Sequence, residues 1–199
     1  HRLSLRQERL LTSMTQTDHK DLVNALTTIL KFTFLTELVG ALSLSGLFYG
    51  LGDAVPMALW RGFFTAISAF CNAGFALQSD ILIPYQNHPL ILHVISVLII
   101  FGGLAPAVAL MLPRCFRRKA LPASANVALI TTLALLLSGT LMIAAFEWNG
   151  ILSGLTVFDK IQNAWFQSVT LRTAGFNSVD LSPITGPTFL IMVFFMFIG

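Results

Sequence analysis

The sequence predicts an all-α membrane protein that repeats a unit of membrane span, re-entrant helix and membrane span. Of its 199 residues, 55% are hydrophobic and only 11% are charged, and the mean hydropathy is +0.78. This composition is too apolar for an ordinary soluble domain and is typical of a polytopic membrane protein. Two similar short stretches, residues 64–75 and 165–176, each lie between apolar segments long enough to cross a bilayer.

The length of each apolar segment predicts its role. Residues 32–51, 91–112 and 126–146 reach the roughly 20 residues needed to cross the hydrocarbon core. Residues 58–71 and 160–172 are too short to cross it, so we interpret both as re-entrant helices. The predicted order is a cytoplasmic or interfacial segment 1–30, a first repeat 31–113, a basic cytoplasmic linker 114–125, and a second repeat 126–199 that we expect to be cut within its last helix.

The charge distribution predicts the orientation. Nine of the 12 Lys and Arg residues precede the first span or directly follow the second. Because cytoplasmic loops carry an excess of these residues, the N-terminus and the basic linker are predicted to be cytoplasmic. Topology therefore explains the net charge of +3, and no nucleic-acid partner is predicted. Five acids on the outer side would attract cations there: Asp53, Asp80, Glu147, Asp159 and Asp180.

Both short stretches end in the triplet Ala-Gly-Phe, at matching places in the two repeats. Gly74 and Gly175 are 101 residues apart, and Pro89 and Pro187 are 98 apart. Units repeated in the same orientation are expected to be related by an axis along the membrane normal. Irregular backbone at membrane depth is tolerated only where protein buries it or where it lines a watery cavity. We therefore interpret the two turns as parts of an ion pore.

The chemistry predicted for the pore is that of backbone carbonyls. A re-entrant helix points its C-terminal end, which carries partial negative charge, at the membrane centre. Carbonyls of the following turn can replace the hydration shell of a cation, as in potassium-channel-like pores, and glycine permits the bend. The side chain of Asn72 or Thr173 could add an oxygen ligand. The two phenylalanines that follow the glycines would pack behind the filter. The candidate ion-binding residues are Asn72, Ala73, Gly74, Phe75, Thr173, Ala174, Gly175 and Phe176.

Three charged residues are candidates for support of the filter. Glu37, inside the first span, could hold a neighbouring pore helix or attract cations, or it could reach the membrane interface. Arg172 could tune the outer mouth, or it could brace the filter by pairing with Asp180 or another acid. Cys71 and Cys115 are expected on opposite sides, so no disulfide is predicted, and the sequence has no metal-ligand spacing.

At these residues the chain resembles the Trk/Ktr/HKT superfamily of potassium uptake proteins. Ile67-Ser-Ala-Phe-Cys-Asn-Ala-Gly-Phe75 is similar to the second pore loop of that family, and Ser168-Val-Thr-Leu-Arg-Thr-Ala-Gly-Phe-Asn177 is similar to the third. Phe34-Leu-Thr-Glu-Leu-Val-Gly-Ala41 resembles the first helix of the second repeat. The chain departs from the family pattern at Leu171, where proline is usual, and in the run Gly102-Gly-Leu-Ala-Pro106.

The resemblance implies four repeats in a longer protein, with one filter glycine in each, and K⁺ as the main ion. Na⁺ or H⁺ coupling is an open question, and no cofactor is implied. It also implies a multi-pass protein of the bacterial inner membrane that forms homodimers. The expected partner is a cytosolic nucleotide-binding regulatory subunit of the TrkA or KtrA type.

Three other functions are alternatives to K⁺ uptake. A Na⁺-conducting or Na⁺-coupled member of the same superfamily would have the same architecture. A membrane-embedded enzyme is disfavoured because the sequence shows no paired intramembrane His and Asp and no nucleophile beside a base. A non-conducting scaffold would use its re-entrant helices only for packing.

Overall fold

The structure is a computed structural model that describes residues 19–104, 106–111 and 121–198. Its elements in chain order are α1 (His19–Gly50), α2 (Val55–Phe70), a short 3-10 helix (Ile83–Tyr85), α3 (Pro89–Gly103), α4 (Pro106–Ala109), α5 (Ala123–Glu147), α6 (Val157–Thr170) and α7 (Gly186–Ile198). The described part of the chain is helical without strands, as predicted. Residues 1–18 and most of the predicted basic linker, with Cys115, lie outside the described residues.

Among the residues that the structure describes, two helices are long and apolar enough to cross a membrane. They are the Val23–Gly50 part of α1, with 28 residues, and Ala123–Glu147, which is α5, with 25. α1 is one continuous helix and crosses the boundary predicted between the N-terminal segment and the first span. Its surface carries exposed leucine, valine and phenylalanine side chains, which is the pattern of a helix that faces lipid.

The two predicted re-entrant helices are present and short. α2 has 16 residues and α6 has 14, so they are about 24 Å and 21 Å long, less than the roughly 30 Å hydrocarbon core. Pro56 lies in the first turn of α2, where its missing N–H costs no hydrogen bond. The Thr156 hydroxyl accepts from the N–H of Asp159 and caps α6.

The second predicted span, residues 91–112, is not one helix. α3 ends at Gly103, Leu104 has an extended backbone (φ −80°, ψ 137°), and α4 begins at Pro106. Pro106 has no N–H to donate to the carbonyl four residues earlier, and its ring clashes with that carbonyl, so a regular helix cannot continue through it.

The two repeats share one packed core. α1 packs most extensively against α2, and α5 against α6, while α3 packs against α6 and joins the repeats. Phe166, Val169, Ala174 and Phe176 of the second repeat belong to the same buried cluster as the core of the first. This packing brings the ends of α2 and α6 together.

Candidate functional site: two touching glycine turns

The turns after α2 and α6 have the same backbone conformation. Asn72 (φ 50°) and Gly74 (φ 71°) are left-handed in the first turn, and Thr173 (φ 64°) and Gly175 (φ 78°) are left-handed in the second. Both pairs are 101 residues apart, the spacing of the sequence repeat. Left-handed backbone is easy for glycine, acceptable for asparagine and strained for a β-branched residue, so Thr173 is the unexpected member.

The two glycines lie against each other. A Cβ atom on Gly74 would lie 2.8 Å from the Cα atom of Gly175 and 2.8 Å from the carbonyl oxygen of Ala174. A Cβ atom on Gly175 would lie 3.1 Å from the Cα atom of Gly74. Each turn therefore needs glycine for two independent reasons, its own backbone angle and the closeness of the other turn.

A hydroxyl group of the preceding helix holds each turn. The Ser68 hydroxyl accepts from the N–H of Phe75 at 2.9 Å and donates to the carbonyl oxygen of Phe75 at 2.8 Å. The Thr170 hydroxyl accepts from the N–H of Phe176 at 2.9 Å. Both helix ends are thus connected to the residue that follows the glycine, and neither hydroxyl group was predicted from the sequence.

The two phenylalanines have different environments. Phe176 is completely buried, as expected for a side chain wedged behind the turn, whereas the Phe75 side chain is 68% exposed. The prediction that both wedge behind the turn is therefore wrong for Phe75. The carbonyl of Phe75 also accepts a hydrogen bond from Ser68, so it is turned towards α2 and is not available to a cation in this conformation.

Family membership follows from the sequence comparisons. Residues 4–199 match the TrkH family, described as "Cation transport protein". The chain belongs to the TrkH family. This agrees with the resemblance found at the two glycine turns and with the all-helical membrane architecture. Members are named as transporters, which are not enzymes, so the enzyme alternative is not favoured.

Several curated relatives of this TrkH-family chain are potassium uptake proteins by name. Potassium/sodium uptake protein NtpJ of Enterococcus hirae is 35% identical over 86% of this chain and 38% of its own length. Ktr system potassium uptake protein B of Vibrio alginolyticus is 36% identical over 100% of this chain and 44% of its own. The Bacillus subtilis protein of the same name is 36% identical over 84% and 38%. The chain therefore spans about two fifths of the length of these relatives.

Arg172 reaches the end of α3 and not Asp180. A Cβ atom on Gly103 would lie 3.2 Å from Nη2 of Arg172 and 3.5 Å from Nδ2 of Asn72, so both side chains reach the C-terminal end of α3. Among the described residues, one ion pair is formed, between Arg61 and Asp53, and Arg172 pairs with no acid. A pair between Arg172 and Asp180, one of the alternatives predicted for Arg172, is therefore not formed among the described residues.

Asp180 is exposed and bonded locally. The N–H and the hydroxyl of Ser182 donate to its Oδ1 at 2.9 and 2.7 Å. These bonds hold the pKa of the Asp180 carboxyl below its ordinary value, so it remains ionised at neutral pH. Asp180 therefore carries the negative charge that its predicted role in attracting cations requires.

Glu147 was predicted to be one of the acids at the mouth, and it is buried instead. Its side chain is 0% exposed. Oε1 accepts from the Thr185 hydroxyl at 2.7 Å and from the Thr185 N–H at 3.2 Å, and Oε2 accepts from the N–H of Ile151 at 3.3 Å. The carboxylate therefore connects the end of α5 to the start of α7. Glu37, by contrast, is half-buried on α1.

Polar contacts also join the two repeats near the turns. Nδ2 of Asn163 on α6 donates to the carbonyl oxygen of Gln86 at 2.8 Å. The N–H of Leu82 donates to the carbonyl oxygen of Asn177 at 3.1 Å. The loop that follows the first turn is thus fastened to α6 of the second repeat and to the segment that follows the second turn.

Proposed function

We propose that this chain forms two of the filter turns of a K⁺-translocating subunit. The ion would be bound by backbone carbonyls of Asn72 to Gly74 and of Thr173 to Phe176. The observation that carries this proposal is the contact between Gly74 and Gly175, each left-handed and each at the end of a helix too short to cross the membrane. No bond is made or broken in this function.

The electrostatics of the helix ends support a cation. The C-terminal ends of α2 and α6 carry partial negative charge. N–H groups of the turns bond several of their last carbonyls, among them those of Ser68 and Thr170, so the carbonyls left for an ion are those of the turns. Two such ends converge where the turns touch, and turn carbonyls can replace part of the hydration shell of K⁺. Arg172 opposes this field, but its guanidinium lies at the C-terminal end of α3, where a third set of helix carbonyls offsets part of its charge.

The remaining parts of the filter are proposed to come from the rest of a longer protein. The relatives are more than twice as long as this chain, which leaves room for two more repeats. We further propose a bacterial inner-membrane location with a cytoplasmic N-terminus, a homodimeric assembly and a cytosolic nucleotide-binding regulatory subunit. Two of the relatives are named as proteins of a Ktr system, which supports a multi-component assembly.

Na⁺ transport is the second candidate. The Enterococcus hirae relative is named a potassium/sodium uptake protein, and it is 35% identical to this chain. Uptake measured with each ion alone distinguishes the two candidates.

The test is rescue of a potassium-uptake-deficient bacterium at low external K⁺ by the full-length protein. Wild type is expected to rescue growth and Gly175→Ser to fail at equal membrane abundance. Gly154→Ser is the matched control, because Gly154 also has a positive φ (86°) but a Cβ atom added there would have no neighbour within 4 Å. Equal rescue by wild type and Gly175→Ser, with equal K⁺ and Na⁺ uptake, would refute the filter assignment.

A further inference from the structure

Three polar side chains beside the second turn are sealed inside the protein. Asn163, Gln167 and Ser178 are each 0% exposed. Both amide atoms of Gln167, Oδ1 of Asn163 and Oγ of Ser178 have no hydrogen-bond partner among the described residues. A buried polar atom without a partner destabilises the folded state, and the great majority of buried polar atoms in proteins are bonded to protein or to ordered water.

Two of these groups lie on one side of α6. Asn163 and Gln167 are four residues apart on that helix, so they share a face. The N–H of Phe176 donates to the Thr170 hydroxyl, which holds the segment after the second turn against the end of the same helix.

Asn163 is fixed in the orientation that leaves its oxygen in need of a donor. Its Nδ2 donates to the carbonyl oxygens of Gln86 and Asp159, both at 2.8 Å. Oδ1 then points away from those carbonyls and can only accept. The amide of Gln167 can donate, but it does not reach this oxygen with hydrogen-bond geometry. A molecule that both donates and accepts could satisfy the two side chains together.

We propose that ordered water binds beside α6 and hydrogen-bonds to the side chains of Gln167 and Asn163. Water is the ligand that the site can take, because atoms closed off by this chain cannot be reached by a further segment or a partner protein. A buried water typically makes about three hydrogen bonds, and the site offers both donors and acceptors. This inference does not depend on which ion crosses the turn.

The first test compares the thermal stability of two variants of the full-length protein. Gln167→Met keeps the length of the side chain and removes both polar atoms. If water bridges the amide, this change removes its hydrogen bonds, and the melting temperature is expected to fall by about 2 °C or more. If the amide is dry and unpaired, removing it relieves a penalty, and the melting temperature is expected to stay the same or rise.

Gln162→Met is the matched control, because Gln162 lies on the same helix but is only partly buried. Its melting temperature is expected to match that of wild type. A Gln167→Met protein at least as stable as wild type would overturn the proposal.

The second test does not need a variant and decides the question if Gln167→Met fails to fold. A density map of the wild-type full-length protein, at a resolution that shows ordered water, is expected to contain a peak within hydrogen-bonding distance of the Gln167 amide and of Oδ1 of Asn163. A map that shows ordered water elsewhere in the interior and no peak at this position would overturn the proposal.

Discussion

The Ser68 hydroxyl forms two hydrogen bonds with the backbone of one residue, Phe75: it accepts from the N–H at 2.9 Å and donates to the carbonyl oxygen at 2.8 Å. In the second repeat the Thr170 hydroxyl accepts from the N–H of Phe176 at 2.9 Å. These hydroxyls fix the glycine turns to their helices. The first prediction concerns the stability that they provide.

Thr170→Val is expected to destabilise the protein more than Ser68→Ala. Valine has the shape of threonine, so the change leaves the N–H of buried Phe176 without an acceptor, at a cost of about 1–3 kcal/mol. Phe75 is largely exposed, so solvent can replace its lost bonds and the cost there is expected below about 1 kcal/mol. Thermal unfolding of the full-length protein measures both. Thr170→Ser keeps the hydroxyl and serves as control; Thr170→Val with wild-type stability would contradict the prediction.

Exchanging the left-handed residues of the two turns is expected to have opposite effects. Asn72 (φ 50°) occupies an angle that asparagine tolerates, whereas Thr173 (φ 64°) is strained. Thr173→Asn is therefore expected to stabilise the fold, and Asn72→Thr to destabilise it, each by about 1 kcal/mol. Melting temperatures of the two variants and of the double exchange give the comparison. A loss of stability in both single variants would show that side-chain contacts outweigh the backbone angle.

Gly102→Ala is expected to disrupt the contact between α3 and the end of α2. A Cβ atom on Gly102 would overlap the carbonyl group of Phe70, 2.7 Å from its carbonyl carbon, and backbone cannot move aside as a side chain can. Overpacking of this kind costs roughly 1–3 kcal/mol or more. Gly46→Ala on α1 is the control, because no atom lies within 4 Å of the added carbon and alanine favours helix. Equal stability of these two variants would exclude a tight contact at Gly102.

Glu147→Gln is expected to destabilise the second repeat. Oε1 accepts two hydrogen bonds from Thr185 and Oε2 accepts one from Ile151, and an amide nitrogen in place of either oxygen would face a donor. The expected loss is about 1–3 kcal/mol. Glu37→Gln is the matched control, since Glu37 is half-buried on α1 and forms no hydrogen bond among the described residues. Unfolding measurements that rank Glu37→Gln as the more damaging change would contradict this assignment.

The sequence predicted the order of the helices and the relation between the two turns. Helix type and order follow from apolar length, which a single chain displays directly, although the number of helices within residues 91–112 did not. The spacing of 101 residues between Gly74 and Gly175 predicted that the two turns correspond, and the left-handed angles of both turns keep that spacing. The contact between the glycines was not predicted, because the repeat spacing says which residues are equivalent and not how close they lie.

The features missed are those that join distant parts of the chain. Glu147 looked like a loop acid because it follows an apolar run, and its partner Thr185 lies 38 residues away. Asn163 and Gln86 are 77 residues apart and belong to different repeats. The break at Leu104 had a local signal in Gly102, Gly103 and Pro106, which the length of the apolar run outweighed in the prediction. Local sequence patterns do not show which distant residues contact each other in the fold.

The hydroxyl groups that hold the two turns, those of Ser68 and Thr170, do not occupy equivalent positions in the two repeats. Ser68 lies six residues before Gly74, whereas Thr170 lies five before Gly175, although the turns themselves correspond residue for residue in their left-handed angles. At the 101-residue spacing Ser68 aligns with Val169, and Thr170 aligns with Ala69. An alignment of the two copies would therefore show a hydroxyl shared at neither position. In this duplication, selection can have preserved an anchor without preserving its position in the sequence.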